Sequence, residues 1–301
     1  MRVVITGSSG LIGSALRRSL EEDNHVVIRL VRRQPRERGE CAWDPAAAAQ
    51  PRLLDGADVV VNLAGATLRT RRWTPRYQDV LRRSRTVAAR TVATMAAAAA
   101  GPPAVLISAS GMRYYGVDRG DEILTEASGP GSSGFLPAVA REMEAATEPA
   151  VGAGIAVCHL RLGLVLSRRG GFLPALLPLF RAGLGGQFGT GQAFWSYISL
   201  ADAVGAVRFL ATHPGAAGPY NITSPHPVRS EQFTRALASA VNRRARLRVP
   251  LGAVSLAMGG AAAEVFGSLR VIPARLTDAG FRHQHPDLNS VLRDALLSPP
   301  A

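Results

Sequence analysis

Apolar residues first gather at Val3-Val4-Ile5, pass into the turn Thr6-Gly7-Ser8-Ser9-Gly10, and then recur at Leu11, Ile12, Ala15, Leu16 and Leu20. A short apolar run closed by glycine predicts a buried strand, and the helical spacing after it predicts an amphipathic helix. The alternation continues along the chain. Residues 25–31, 58–65, 104–109 and 155–160 have strand character, whereas 75–100 and much of 135–151 have helical character. With six strands expected by residue 162, the pattern predicts an α/β fold, a Rossmann-type doubly wound parallel sheet with a smaller C-terminal substrate-binding region. Residues 1–165 form the expected dinucleotide-binding domain and 166–301 mainly the substrate-binding region, with segments near 194–222 returning to the first domain. Residues 170–191 are rich in glycine and proline, and no fixed-period repeat is present.

The first turn has the form Gly7-x-x-Gly10-x-x-Gly13. Gly7 permits the sharp turn, Gly10 brings bare backbone near a pyrophosphate, and Gly13 packs helix on strand. Ser9, Leu11 and Ile12 complete the cradle, because unpaired N–H groups at a helix start carry partial positive charge toward phosphates. The end of the second strand bears on cofactor choice. An acidic residue there takes the ribose hydroxyls of NAD, and arginine accommodates the 2′-phosphate of NADP. Residues 24–36 contain no Asp or Glu and place Arg32 and Arg33 at the strand's end, which favours NADP over NAD.

Charge and composition alter this picture little. The formal net charge is +13, which ordinarily raises nucleic acid as a partner, but the chain has no lysine, and its arginines are scattered without aromatic interleaving. An anionic cofactor or substrate accounts for the positive field more simply. There is no apolar span of membrane-crossing length and no signal-like leader, so a cytoplasmic protein without membrane contact is expected. Cys41 and Cys158 form neither a disulfide framework nor a metal cluster, and His283-x-His285 brings no third ligand, so no metal is implied.

Several strings resemble a known family. These are the N-terminal Thr-Gly-x-x-Gly-x-x-Gly, Asp58…Asn62-Leu63-Ala64-Gly65, Ser108-Ala109-Ser110 before Tyr114-Tyr115-Gly116, Asp202, and Tyr220-Asn221-Ile222. They resemble extended short-chain dehydrogenase/reductases. Arg72-Trp73-Thr74-Pro75, residues 115–122, Gly183-Leu184-Gly185-Gly186 and residues 271–276 resemble the atypical, epimerase-family (sugar-nucleotide-epimerase-like) branch. The resemblance implies that Asn62, Ala64 and Gly65 join the cofactor site. It also implies Tyr-x-x-x-Lys chemistry, in which lysine lowers a tyrosine pKa so that the phenol exchanges a proton. Without lysine that pair cannot form; aligning Glu144 with the family's helix glutamate puts Leu136 and Ala140 at its positions. Tyr115 and Arg119 have the same four-residue spacing but lie in a glycine-containing loop, so the match is coincidental.

The candidate replacement groups are Ser110, Tyr114 and Tyr115, with Ser108 the alternative to Ser110. Ser110 lies in a segment that faces the nicotinamide in related enzymes. A phenol lacking a cationic neighbour would be a sluggish base at neutral pH. Arg113 is a candidate to lower a tyrosine pKa, grip an anionic substrate or point to solvent, and Trp195 and Tyr197 occupy a stretch that approaches the substrate in relatives. Glu142 and Asp118 are further acid/base candidates, better explained as solvated surface.

Three functions follow. The first is an NADP-dependent oxidoreductase or epimerase-like enzyme acting on a small hydroxyl- or carbonyl-bearing molecule. The second is a non-catalytic NADP-binding redox sensor or scaffold, and the third a dehydratase or cyclase on the same fold. The 75–100 helix lies where relatives often pair subunits, which makes a homodimer one expectation and internal packing of its alanine-rich face the other.

Overall fold

The computed structural model describes residues 1–68, 73–245, 247–250, 252, 264 and 266–297; Arg72 of the quoted motif lies outside them. Seven strands form the main sheet: β1 (Arg2–Thr6), β2 (Val26–Val31), β3 (Glu40–Ala42), β4 (Val59–Asn62), β5 (Val105–Gly111), β6 (Ala156–Leu162) and β7 (Gly218–Ile222). Their order is β7-β6-β5-β4-β1-β2-β3, and every neighbouring pair is parallel. The chain winds outward from β1 through β2 and β3, then crosses back to β4. This reversal opens a crevice above the carboxyl ends of β1 and β4.

Strand alternation divides the core. Val3, Ile5, Val59, Val61, Val105, Ile107 and Leu160 pack on one face with Leu16 and Leu20 of α1 (Leu11–Glu22). Val4, Val60, Leu106 and Val157 pack on the other with Ala88, Val92 and Ala96 of α2 (Pro75–Ala97). Burial on both faces explains why these strands are almost continuously apolar in sequence.

The expected helix over 135–151 is two helices, α3 (Phe135–Ala145) and Glu148–Gly152, the second starting with Pro149 in its first turn. Proline fits there because the first-turn N–H has no intrahelical acceptor. The glycine- and proline-rich stretch contains α4 (Leu173–Arg181). Strand β3 was not apparent from periodicity, since Glu40-Cys41-Ala42 has no apolar alternation. It forms by pairing with β2, with Arg29 opposite Glu40.

A second core surrounds Trp195, Phe233 and Phe266 and includes α4, α6 (Ser230–Ala240) and α7 (Leu288–Leu297). The first core also takes in α5 (Leu200–Thr212), through Ala203, Val204, Ala206, Val207 and Leu210; its N-cap Ser199 accepts from the Asp202 backbone N–H at 2.8 Å. Asp202 also accepts from the backbone N–H groups of Gln284 at 2.7 Å and His285 at 3.0 Å, and from Ser199 Oγ at 2.8 Å. This buried carboxylate fastens the chain before α7 to the start of α5. Among the described residues no helix is long and apolar enough to cross a membrane, and no group of three His, Cys, Asp or Glu side chains converges on a metal site.

Asp202→Ala leaves two backbone N–H groups without their acceptor. Urea unfolding is expected to show a loss of about 2 kcal/mol or more.

Candidate active site

The glycine turn is shaped by close approach. Gly7 has φ +69°, and a Cβ there would lie 2.4 Å from Leu63 O; one on Gly13 would lie 2.3 Å from Gly7 O. Gly10 caps α1 without a side-chain hydrogen bond, and Ser9 and Gly10 are exposed. The opening amides of α1, at Leu11, Ile12 and Gly13, therefore meet no capping oxygen from their own N-cap side chain. A narrow glycine-lined turn below a helix start fits a dinucleotide pyrophosphate.

Asn62 serves the floor of this crevice. Its Oδ1 accepts from Thr6 Oγ1 at 2.7 Å, and its Nδ2 donates to Ser108 Oγ at 3.2 Å, linking β1, β4 and β5. Ala64 and Gly65 form the adjoining wall. Arg85 lies against Gly65, so a Cβ on that glycine would be 3.3 Å from Arg85 Cγ. Ser84 Oγ accepts from Ala66 N at 3.0 Å, while Arg85 Nη2 donates to Ala66 O at 2.8 Å. This Ser84-Arg85 clamp had no signal in the sequence beyond an arginine on a helix.

At the end of β2, Arg32 is exposed. Arg33 is also exposed at its surface, but its guanidinium donates to both oxygens of Glu40, at 2.7 and 2.6 Å. Arg33 is therefore an ion-paired side chain, which sets it apart from Arg32. Glu40 compensates it across the loop, beyond the acid-free stretch of residues 24–36.

Parallel register assembles the chemical centre. Ser110 on β5 pairs with Arg161 on β6, which pairs with Asn221 on β7, at the carboxyl edge of the sheet. Arg161 is bound to Glu144 of α3 through Nε and Nη2, each at 2.9 Å. Ser110 Oγ donates to Glu144 Oε1 at 2.8 Å. Arg161 Nη1 donates to the Tyr115 hydroxyl at 2.9 Å, and that hydroxyl donates to Asn221 Oδ1 at 2.7 Å. The guanidinium carbon also stands 3.5 Å from the Tyr114 ring centroid. Burial works against the Arg161 charge, but Glu144 outweighs it and raises the arginine pKa.

The two tyrosines thus have the cationic neighbour that lysine supplies elsewhere. Their situations differ. Tyr115 is fully buried, with its hydroxyl bonded on both sides, and burial pushes its pKa up to about 12 despite Arg161. Such a phenol is a structural hydrogen-bonding group at neutral pH. Tyr114 is half-buried.

Other candidates lie apart from this centre. Arg113 is buried and donates to Val117 O at 2.6 Å; burial lowers its pKa to about 10. Trp195 packs among Phe172, Phe188, Phe233 and Phe266 inside the second core, and Tyr197 is completely buried. Both are packing residues, although their aromatic character suits a substrate wall equally well in sequence. Glu142 pairs with Arg82, Arg119 with Glu122, and Asp118 accepts from Gly120 N. At the positions aligned with the missing dyad, Ala140 is buried in α3, and Leu136 packs beside Trp73 and Leu81.

A doubly wound parallel sheet, a glycine cradle at its switch point and a polar centre on β5 and β6 define an NAD(P)-binding protein of the short-chain dehydrogenase/reductase class. The chain belongs to the NAD dependent epimerase/dehydratase family, whose profile matches residues 3–223. A domain of unknown function, DUF1731, matches residues 249–295. The chain is 41% identical over 299 residues to an epimerase family protein of Mycobacterium bovis, covering 99% of this chain and 98% of that protein. It is 30% identical over 302 residues to the chloroplastic SDR39U1 homolog of Arabidopsis thaliana, covering 97% and 86%. Human epimerase family protein SDR39U1, solved with NADPH, superposes with a TM-score of 0.92 at 28% identity, covering 99% and 100%. The resemblance carried by the motifs is thus family membership, and the expected α/β Rossmann-type fold is the one found.

Arg161→Met strands the Glu144 carboxylate, whose side chain is 12% exposed, and urea unfolding should show a loss of about 3–5 kcal/mol. The Tyr115 pKa is higher folded than unfolded, so its contribution is complete below about pH 10 and disappears as pH rises through about 12. Absorbance titration should find one late-ionising tyrosine fewer in Tyr115→Phe.

Proposed function

We propose that this protein is an NADP-dependent oxidoreductase or epimerase-like enzyme acting on a small hydroxyl- or carbonyl-bearing molecule, with Ser110 meeting the reacting oxygen. The observation that carries this reading is the Ser110–Glu144–Arg161 arrangement at the carboxyl edge of the sheet that holds the glycine cradle. The human relative's NADPH supports the choice of nucleotide. Gly7, Gly10, Gly13 and the first amides of α1 would hold the pyrophosphate, with Arg32 and its loop toward the adenosine end. When bound, the nicotinamide supplies hydride transfer.

The protein's own part is proton placement. Ser110 directs its hydroxyl proton to Glu144 Oε1, leaving oxygen lone pairs for a substrate hydroxyl; rotated away from Glu144, the same proton serves a substrate carbonyl. Arg161 fixes the carboxylate through two parallel bonds, so the Ser110 partner keeps its position during turnover. Tyr114 flanks the pair with its ring on Arg161. Tyr115 has no proton-transfer role in this scheme because its hydroxyl is enclosed.

A nucleotide-binding sensor without turnover is the second reading, favoured by the absence of lysine from the chain. An NADPH-oxidation assay across a panel of carbonyl compounds separates the two. With a compound that supports turnover, Ser110→Ala should lower kcat about a hundredfold and leave NADPH affinity unchanged. Wild-type kcat in that variant removes Ser110 from the mechanism, while tight NADPH binding with no oxidation across the panel favours the sensor.

A further inference from the structure

The segment from the end of β2 to the start of β3 is strongly basic: residues 29–40 contain five arginines and two glutamates. Its conformation is organised around one carboxylate. The Glu40 side chain is 1% exposed and takes two hydrogen bonds from Arg33, at 2.7 and 2.6 Å, while Arg29 Nη1 lies 3.1 Å away. The same carboxylate accepts from the backbone N–H groups of Arg36 at 2.8 Å and Glu37 at 3.4 Å. The Arg33 hydrogen bonds, followed by the Arg36 amide, hold its pKa down to about 2. Gly39 pins the far end of the loop, with φ +81° and its carbonyl accepting from Arg29 N at 2.7 Å. Among the described residues, none of Arg32, Arg36 and Arg38 pairs with a carboxylate, and all three are exposed.

We propose that Glu40 is a positioning residue for cofactor choice. Its carboxylate sets the 32–38 loop in one conformation and engages Arg33, leaving Arg32, Arg36 and Arg38 as the loop cations open to a ribose 2′-phosphate. Arg33 is thereby part of the frame that presents its neighbours. The proposal rests on the NADP reading above. It goes beyond that reading by dividing roles within a cluster of like residues and assigning selectivity to an acid that touches no phosphate. Preorganisation is the physical reason: a loop already ordered by charge-assisted bonds loses less conformational freedom when a ligand binds.

The test is calorimetry on the full chain with NADPH and with NADH. The unaltered protein should prefer NADPH. Glu40→Gln should weaken NADPH binding about tenfold while leaving NADH affinity unchanged, so the ratio between the nucleotides falls. Arg33→Met disturbs the same contact from the exposed partner and should lower the ratio similarly, with little further loss in the double variant. It also supplies the test if Glu40→Gln fails to fold. An unchanged ratio in the folded variants overturns the proposal. A raised ratio does so as well, because it means that Glu40 competes with phosphate for Arg33. Equal losses for both nucleotides reduce Glu40 to general support and overturn its role in selectivity. Equal affinities in the unaltered protein overturn the NADP reading itself, and the proposal with it.

Discussion

An arginine on an inner strand of a parallel sheet must find partners for its charge within the protein, and Arg161, with a side chain 4% exposed, does so in three directions. Glu144 reaches it from α3, the Tyr115 hydroxyl from the turn after β5, and the Tyr114 ring covers its face. The sheet supplies the remaining geometry, since parallel pairing places Ser110 and Asn221 on the strands at either side. The placement of α3, the tyrosine turn and the ends of three strands is therefore coupled through one charge. Burying an ion pair is costly, and its clearest use here is spatial specificity. The carboxylate that answers Arg161 is also the acceptor for Ser110.

Local patterns carried much of the fold. The first strand, glycine turn and α1 were legible because an apolar run leads directly into the Gly-x-x-Gly-x-x-Gly spacing and the helix has a clear apolar stripe. Buried β4 and β5 were legible as apolar runs. Strand β3 was not, since its three residues depend on β2 for their conformation. The break before Pro149 was similarly hidden within a region rich in helix-forming residues.

The candidate centre was only partly visible because its contacts cross large sequence separations. Ser110 could be singled out from its neighbouring motif, but Glu144 lies 34 residues away, and Arg161 another 17 beyond that. In sequence, Arg161 is one of two polar positions, with His159, in an otherwise apolar strand. Its partners become evident only when sheet register and the approach of α3 are known. Tyr115 shows the converse: residue type and motif suggested proton exchange, whereas three-dimensional packing encloses its hydroxyl. Arg32 and Arg33 were equivalent by composition and differ through a glutamate on the next strand.

The opening turn has a further consequence for how such a protein can diversify. Gly7 surrenders the volume of a methyl group to Leu63 O, and Gly13 yields the same volume to Gly7 O, so two distant loops and a helix are wedged together without spare space. An insertion near Leu63 would displace the glycine turn and the opening amides of α1, because the neighbouring backbone has nowhere else to move. Side chains along the rim do not meet this steric limit, whereas a change in the length of either wedged loop does.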